Sequence, residues 1–210
     1  MDLGQVFAGV PRVGRVDGCA YCYPQSDLDL LGGDPALVPD ELVGAFAREV
    51  TDHWPREQYG LVWRGLAPRI LGLLESSPDA LLLRGLTYAR FSTWPAEEQA
   101  AVRGELRAMV TRALAGPPLA VAGLVCAAAH VDHDLRPWLS YLDTVTGADA
   151  EIARLARFWA GDLAAGGEPS LWWFPPDPAA PIRDWLCSDA LHERLSRLDD
   201  RDTLLAIAEL

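Results

Sequence analysis

A Trp-Pro pair that recurs after forty residues constrains the fold of this chain more than any other feature. Trp54-Pro55 and Trp94-Pro95 end two similar stretches, PDELVGAFAREVTDHWP at 39–55 and PDALLLRGLTYARFSTWP at 78–95. The same offset continues beyond the turns, in the pairs Glu57 and Glu97, Val62 and Val102, Leu66 and Leu106, and Ile70 and Val110. Because similar residues recur at a fixed distance, we predict a repeat of about forty residues.

Each copy of the repeat has the pattern of two helices joined by the Trp-Pro turn. In the first copy, the apolar side chains that share one helical face are Leu42, Val43, Phe46 and Val50. Pro39 and Pro78 stand where the first turn of a helix tolerates a missing N–H group. Pro55 and Pro95 would open the second helix of each pair, with glutamates in the first turn, where the helix dipole favours them.

The rest of the chain is also helical in its period. A weaker third copy starts at Pro118, and LRPWLSYLDTV, EIARLARFWAGDLAA, IRDWLCSDALHERLSRL and LLAIAEL follow it. No stretch alternates apolar and polar residues as a strand does. We predict an all-α fold of about eight helices, a HEAT-like array of antiparallel hairpins over 39–210 behind an irregular N-terminal arm over 1–38. If the spacing arose by chance, an irregular helical bundle is the alternative.

The charge of the chain narrows the classes of function. The formal net charge is −12, all 18 basic residues are arginine, and the chain contains neither lysine nor asparagine. A lysine Schiff base and a P-loop lysine are therefore excluded. An acidic chain repels phosphate backbones, so we expect no nucleic acid partner, whereas a basic protein or peptide would suit its electrostatic field.

The sequence carries no pattern typical of secretion or of membrane insertion. The N-terminal stretch MDLGQVFAGVPRVGRV lacks a basic segment followed by a sustained apolar run. A membrane-spanning helix would need about 18 uncharged apolar residues in a row, and no such run occurs. We therefore expect a cytoplasmic protein without a membrane partner, in which the cysteines stay reduced unless they bind metal or do redox chemistry.

The segment GCAYCYP, at 18–24, contains the clearest candidate for chemistry. Cys19 and Cys22 form a Cys-x-x-Cys pair, which can supply two of the four tetrahedral ligands of a zinc ion. The best candidates for the other two ligands are Cys126 and His130 on one predicted helix, with His133 in the next turn. One hypothesis is thus a zinc site made of three thiolates and one imidazole.

Two other interpretations of Cys19 and Cys22 stay open. A redox pair would need the start of a helix close by to lower a thiol pKa, whereas Tyr23-Pro24-Gln25 is predicted to continue as a loop. In the simplest interpretation Gly18 permits a turn, and the small thiols pack under the first hairpin.

The densest group of titratable side chains is the segment HVDHD at 130–134. It could hold a divalent metal or an acid–base pair. Under the repeat alignment it falls in the inter-helix turn equivalent to that of His53, and such turns are exposed. We favour a turn in which Asp132 or Asp134 caps the following helix. The run Asp199-Asp200-Arg201-Asp202 likewise predicts a solvated cap for the last helix.

Trp172, Trp173 and Phe174 offer a candidate surface for a partner. Three adjacent aromatic residues cannot all face one core, so we expect at least one to be exposed. Exposed aromatic side chains beside rigid prolines make good anchors for a protein partner. Alternatively, the three fold back and cover the open end of the helical array.

The segments quoted above together resemble a known group of sequences. GCAYC, followed about thirty residues later by TDHWPREQYGLVWRGLAPRILGLLE, is similar to uncharacterised bacterial all-helical, HEAT-like proteins. These proteins carry an N-terminal Cys-x-x-Cys, a Thr-Trp turn and a Leu-Pro-Arg-(Ile/Leu)-Leu segment, and Ala67 here replaces the Leu before Pro68. The resemblance covers about the first third of the chain, and it implies a helical architecture without naming an activity.

The sequence lacks the motifs of several well-known catalytic and cofactor-binding sites. The sequence contains no Gly-x-Ser-x-Gly, His-Glu-x-x-His, Gly-x-Gly-x-x-Gly or EF-hand pattern. We therefore expect a non-catalytic helical-repeat protein that binds a protein or peptide. The alternative is a metal- or thiol-dependent enzyme or sensor that uses Cys19 and Cys22 with Cys126 and His130.

Overall fold

The computed structural model describes residues 2–49, 53–76 and 79–210, and over these residues it contains helices and no strand. The α-helices are α1 (Leu3–Phe7), α2 (Gln25–Gly32), α3 (Asp40–Arg48), α4 (Arg56–Ser76), α5 (Leu81–Tyr88), α6 (Ala96–Ala113), α7 (Pro118–Ala128), α8 (Arg136–Thr144), α9 (Asp149–Ala164), α10 (Ala180–Leu186), α11 (Asp189–Arg197) and α12 (Arg201–Ala208). Three short 3-10 helices cover Pro35–Leu37, Phe91–Thr93 and Ala129–Val131. The predicted all-α class is confirmed. None of the helices described is both long enough and apolar enough to cross a lipid bilayer.

The predicted number of helices, about eight, is too low, because the described residues form twelve α-helices. Two of the additional helices, α1 and α2, lie in the segment 1–38, which we predicted to be irregular. Another arises because the helix predicted over IRDWLCSDALHERLSRL is interrupted after α10. Ser188 begins α11 there, and its hydroxyl accepts the N–H group of Leu191 at 3.3 Å. A serine in this position satisfies a backbone donor that the helix itself cannot pair.

Helix α2 forms where the chain was predicted to continue as a loop. Pro24 has an extended backbone, and its carbonyl oxygen accepts the N–H groups of Asp27 at 3.0 Å and Leu28 at 3.3 Å. A proline just before a helix costs no helical hydrogen bond, and the buried Leu28 and Leu31 hold α2 against the core. The loop prediction is therefore wrong, because the helix begins at Gln25, shortly after Cys22.

The chain divides into two compact units, residues 1–106 and 107–210. Helix α6 contributes residues to both units, since it runs from Ala96 to Ala113. The boundary that we predicted between an N-terminal arm and a repeat domain, after residue 38, falls inside the first unit.

In the first unit, both Trp-Pro pairs have a buried tryptophan and lead directly into long helices. Trp54 is 3 % exposed and Trp94 is 6 % exposed. Helices α4 and α6 begin immediately after the following prolines, so their starts keep the offset of the sequence repeat. Val50 and Pro78, which the predicted repeat also uses, lie outside the described residues.

Helices α3, α4 and α5 pack around a cluster of aromatic side chains. The ring pairs in contact, with their centroid distances, are Phe46 and Tyr59 at 4.7 Å, Phe46 and Trp54 at 5.4 Å, Tyr59 and Tyr88 at 5.0 Å, and Trp63 and Trp94 at 5.7 Å. Aromatic pairs at these distances add to the free energy gained from burial alone. The cluster fixes the position of the Trp54 turn, beside which the candidate site lies.

In the second unit, a buried arginine joins the ends of several helices. Arg194 on α11 is 7 % exposed and donates to the carbonyl oxygens of Leu142 at 3.2 Å, Asp143 at 3.0 Å and Val145 at 2.9 Å, at the end of α8. Its Nε atom also pairs with Asp149, in the first turn of α9, at 3.2 Å. A guanidinium group suits this place because its several N–H donors satisfy carbonyl groups that a helix end leaves unpaired.

The predicted cap of the last helix is confirmed. Asp200 precedes α12 and accepts the N–H group of Thr203 at 3.1 Å and its hydroxyl at 2.8 Å. Arg157 on α9 also donates to Asp200, at 2.6 Å. The acidic run at 199–202 therefore has a structural role at the start of α12.

Candidate metal site

Three potential metal ligands converge in the first unit. The sulfur atoms of Cys19 and Cys22 and one imidazole nitrogen of His53 all lie within 4.8 Å of one another. Around a tetrahedral zinc ion, sulfur and nitrogen ligands at their ordinary distances lie about 3.5 to 3.8 Å apart. Small side-chain movements would therefore let the three share one ion. This is the one such group of His, Cys, Asp and Glu residues in the part of the chain that the structure describes.

The Cys-x-x-Cys turn is fixed to α4 at its N-terminal end. The N–H group of Asp17 donates to Gln58 Oε1 at 2.7 Å, and Gln58 Nε2 donates to Asp17 Oδ2 at 3.0 Å. The turn itself closes on the carbonyl oxygen of Cys19, which accepts the N–H groups of Cys22 at 3.1 Å and Tyr23 at 3.0 Å. This closure places both sulfur-bearing residues on one short loop.

The C-terminal end of the turn is fixed by Tyr23. Its ring is buried against Trp54, with centroids 4.7 Å apart, and its hydroxyl donates to Glu49 at 3.0 Å. Gly18 lets the turn approach this closely. A Cβ atom at Gly18 would lie 2.5 Å from Leu28 Cδ2 and 2.7 Å from Trp54 Cζ3, so no larger residue fits without a shift of the turn.

His53 reaches the cysteines because it directly precedes the anchored Trp54. The residue is half-buried. Its Nδ1 atom is buried and has no hydrogen-bond partner among the described residues. A buried polar atom without a partner costs free energy and calls for an explanation. An imidazole in this state beside two thiols fits the role of a metal ligand better than a role in packing.

The electrostatic surroundings of the two thiols differ. The backbone N–H groups of Cys22 and Tyr21 beside the Cys19 sulfur hold the pKa of Cys19 below its usual value. Loss of hydration and the hydrogen bond to Cys19 raise the pKa of Cys22. The negative charge of Glu49 acts to raise the pKa of both thiols, and the same field attracts a cation. Cys19 is therefore the thiol that more readily becomes a thiolate ligand.

An open groove lies beside the three ligands. It is lined by Asp17, Gly18, Cys19, His53, Trp54 and Pro55. Cys22 is exposed and Cys19 is half-buried, so the group faces solvent on one side. A zinc ion that has three protein ligands and a fourth position open to solvent can bind water or a substrate group there.

The converging group does not include Cys126 or His130, the other two residues of the predicted zinc site. Cys126 is buried in α7, and burial raises its pKa to about 12. His130 lies in the 3-10 helix that follows α7. Both residues belong to the second unit. The four-ligand set of Cys19, Cys22, Cys126 and His130 stays a prediction.

The turn at 130–134 is only partly as predicted. We expected it to be exposed, yet His130 is 4 % exposed. The reason is Trp173, whose ring meets His130 edge to face at a centroid distance of 5.1 Å and stacks on His133 at 5.6 Å. The predicted capping aspartate is not found, because Leu135 is the residue that precedes α8 and its side chain makes no capping hydrogen bond. Asp134 stands one residue earlier and accepts the N–H group of Arg136 at 3.0 Å.

The three aromatic residues predicted to bind a partner differ in exposure. Trp172 and Trp173 are half-buried, whereas Phe174 is 79 % exposed. Phe174 also has a positive φ of 48°, which is uncommon for a bulky residue. Its role in binding a partner stays a prediction.

The sequence interpretation missed His53 as a ligand. The residue lies far from Cys19 and Cys22 along the chain, and its proximity depends on the packing of its neighbour Trp54 against Tyr23 and Gly18. One pattern could have pointed to it, because His53 is the single histidine of residues 1–106. A Cys-x-x-Cys pair that seeks an imidazole within its own unit has no other choice.

Comparison of the chain with protein-family models, with curated proteins and with solved structures finds no match. The chemistry of the site is accordingly inferred from the chain's own residues.

Proposed function

We propose that the chain binds a divalent, thiol-seeking metal ion, of which zinc is the model case, through Cys19, Cys22 and His53. One observation carries the proposal: two sulfur atoms and an imidazole nitrogen lie within 4.8 Å of one another. Thiolate and imidazole ligands together favour zinc over the oxygen-seeking cations magnesium and calcium. The buried, unpartnered Nδ1 atom of His53, judged over the described residues, supports it independently.

The open groove suggests what the metal would be for. Structural zinc sites usually have four protein ligands, whereas catalytic sites keep one position for water or substrate. Three ligands beside a groove that also presents Asp17 fit the second kind of site. Cys19, Cys22 and His53 would hold and orient the ion, and Glu49 would favour its positive charge. We therefore place the function among metal-dependent enzymes or sensors.

The metal content of the purified full-length chain tests the proposal. We expect about one zinc per chain after reconstitution and dialysis, measured by elemental analysis. Cys22→Ser and His53→Ala should each lower that content strongly, because each removes a ligand. Cys187→Ser and His192→Ala are the matched controls, since both residues are exposed and lie in the second unit.

Two further variants distinguish this site from the four-ligand prediction. If the ion is held within the first unit, Cys126→Ser and His130→Ala should keep the zinc of the wild type. Loss of zinc in both would instead favour the predicted set. A reduced wild-type chain that retains no zinc at all would overturn metal binding and leave the redox and packing interpretations of Cys19 and Cys22.

A second candidate function is the binding of a protein or peptide partner. It is favoured by Phe174, a large apolar side chain that is 79 % exposed, and by the net charge of −12, which suits a basic partner. Phe174→Ala should abolish capture of such a partner, while Leu37→Ala, another exposed apolar position in the first unit, should not. Equal capture by both variants would count against Phe174 as the anchor.

The HEAT-like array of antiparallel hairpins, and the likeness to bacterial HEAT-like proteins, belong to the same proposal. They are supported by the starts of α4 and α6, which keep the offset of the Trp-Pro repeat. An experimental structure of the full chain would test the hairpin arrangement directly.

A further inference from the structure

A second concave site lies in the first unit, away from the residues of the metal site. It is a cleft of about 290 Å³ between α1, the segment that follows it, the end of α2 and one face of α4. Buried apolar side chains line it, namely Phe7, Leu31, Val62 and Leu66. Its volume equals that of about ten water molecules at liquid density, which is close to the lower limit for small-molecule sites.

Glycine on α4 keeps this cleft open. Gly65 lines the cleft in the middle of the helix, and a Cβ atom there would meet a single heavy atom, Pro35 Cγ, at 3.6 Å. Glycine inside a helix is less favourable than alanine. The local packing does not require it, because a Cβ atom would fit. Gly65 instead leaves space next to the buried apolar side chains that line the cleft.

Two arginines lie in the lining of the cleft, although the chain as a whole is acidic. Its charged lining residues are Arg12, Arg69 and Asp34, so the lining carries a formal charge of +1 in a chain of −12. Arg69 is committed to the wall itself. Its guanidinium donates to the carbonyl oxygens of Pro35 and Val38 and pairs with Asp40.

Arg12, unlike Arg69, keeps N–H donors available for a ligand. Its Nη1 atom donates to the carbonyl oxygen of Gly33 at 2.7 Å and to Asp34 Oδ1 at 3.1 Å. These bonds fix the direction of the guanidinium. Its Nε and Nη2 atoms have no partner among the residues described. A guanidinium oriented in this way at the edge of an apolar cleft is suited to a carboxylate, which it can bind through two parallel hydrogen bonds.

We infer that the cleft binds a small organic anion, an apolar chain or ring of about ten non-hydrogen atoms that ends in a carboxylate held by Arg12. The apolar part lies on Val62 and Leu66 in the space that Gly65 leaves. This binding does not depend on the proposed metal function, because the two sites share no lining residue.

Octanoate has about the right size and serves as the probe, measured with the full-length chain by calorimetry or ligand-observed NMR. We expect saturable binding with a Kd of ~0.1 to 1 mM, the range open to so small a ligand. Gly65→Leu and Ala8→Leu each place a larger side chain at a lining position of the cleft, so each should weaken binding by about tenfold or more. Gly72→Leu is the control, because Gly72 is exposed on the same helix and its Cβ would meet nothing within 4 Å.

Charge is tested with Arg12→Gln, which should weaken octanoate binding by about tenfold, and with Arg15→Gln, an exposed arginine outside the cleft, which should not. Octylamine should bind much more weakly than octanoate to the wild type. No saturable octanoate binding, equal affinity for octylamine, or unchanged affinity in folded Gly65→Leu and Ala8→Leu chains would each overturn the inference. Circular dichroism checks that every variant is folded.

Discussion

The two cysteines of the turn differ in acidity although they stand only three positions apart. The backbone N–H groups of Cys22 and Tyr21 beside the Cys19 sulfur lower the pKa of Cys19, whereas the pKa of Cys22 is raised. Since the thiolate is the reactive form, Cys19 of the metal-free chain should react with iodoacetamide at neutral pH faster than Cys22. Cys126 should react slowest, because it is buried and its pKa is raised to about 12.

The pH dependence of the labelling reaction shows which of the two thiols has the lower pKa. As pH rises, the labelling rate of Cys19 should level off at a lower pH than that of Cys22, measured by mass spectrometry of the labelled peptides. Added zinc should protect both residues and leave exposed Cys187 unaffected. Faster labelling of Cys22 than of Cys19 in the metal-free chain would contradict this account of the turn.

At the residue scale, candidate ligands could be predicted from the sequence only where they lie close together along the chain. Cys19 and Cys22 were recognisable because their spacing alone brings them together. His53 was not, since it joins them through the packing of Trp54 on Tyr23 and Gly18. His130 was expected to be exposed because the sequence does not reveal that Trp173 packs against it.

Among the helices, α5 depends on one glycine where the core comes too close for any side chain. A Cβ atom at Gly85 would lie 2.1 Å from Tyr59 Oη and 3.0 Å from Trp63 Nε1. Tyr59 cannot easily move away, because it is fully buried and its hydroxyl donates to the carbonyl oxygen of Glu49 at 2.6 Å. Gly85→Ala should therefore destabilise the chain by about 1 to 3 kcal/mol, measured by urea unfolding.

At Gly72 on α4, substitution by alanine is expected to raise the stability of the chain. Its Cβ would meet nothing within 4 Å, so Gly72→Ala should stabilise by up to about 1 kcal/mol through helix propensity. Adding Tyr59→Phe to Gly85→Ala removes the hydroxyl that clashes, and part of the lost stability should return. A Gly85→Ala chain as stable as the wild type would show that the core around Tyr59 is looser than described.

Helix α12 should lose an electrostatic contribution in acid. Although desolvation acts to raise the pKa of Asp200, hydrogen bonds from Thr203 and Arg157 hold it below its usual value. A carboxyl group whose pKa is lower in the folded state stabilises above its ordinary pKa of about 3.9. That contribution is lost as pH falls from there through the folded value.

Asp200→Asn tests this contribution, because asparagine can still cap a helix but cannot pair with Arg157 as an anion. We expect the variant to be less stable than the wild type at pH 7 by about 0.5 to 1 kcal/mol, and the difference to vanish well below pH 4. Asp184→Asn, which changes an exposed carboxyl group on α10, is the control. A difference that persists unchanged in strong acid would exclude an electrostatic origin.

Helices were predictable where prolines and apolar spacing coincide, as in α3, α4 and α6. The predictions were wrong where a single side chain determines where a helix begins or ends. Ser188 divides a periodic stretch into α10 and α11 because its hydroxyl caps the second helix. The sequence pattern predicts a loop at Pro24, whereas this residue stands at the start of α2, whose Leu28 and Leu31 are buried. The spacing of apolar residues along the chain reveals neither the cap at Ser188 nor the helix start after Pro24.

For the whole molecule, the division after residue 106 was not visible in the sequence, because α6 crosses it without a change in composition. The division makes a prediction about metal binding. Zinc should slow hydrogen exchange in the segments 17–25 and 53–60, which hold the three ligands and their anchors. Segments of the second unit, such as 118–144, should be unaffected.

Hydrogen exchange followed by mass spectrometry, with and without zinc, reads this pattern in one experiment. The His53→Ala chain is the control and should show no zinc-dependent change. If protection is centred on Cys126 and His130, the ion is bound by the set predicted from the sequence, and the three-ligand site is wrong.

Trp54 gives the candidate site an optical readout of its own. The indole lies against Gly18 and Tyr23 and directly follows His53, so any event that draws the sulfur atoms together must disturb its surroundings. The emission of the wild type minus that of Trp54→Phe isolates this indole from the other tryptophans. Titrating zinc, or an oxidant, while following that difference would report ligand capture in real time without an added dye.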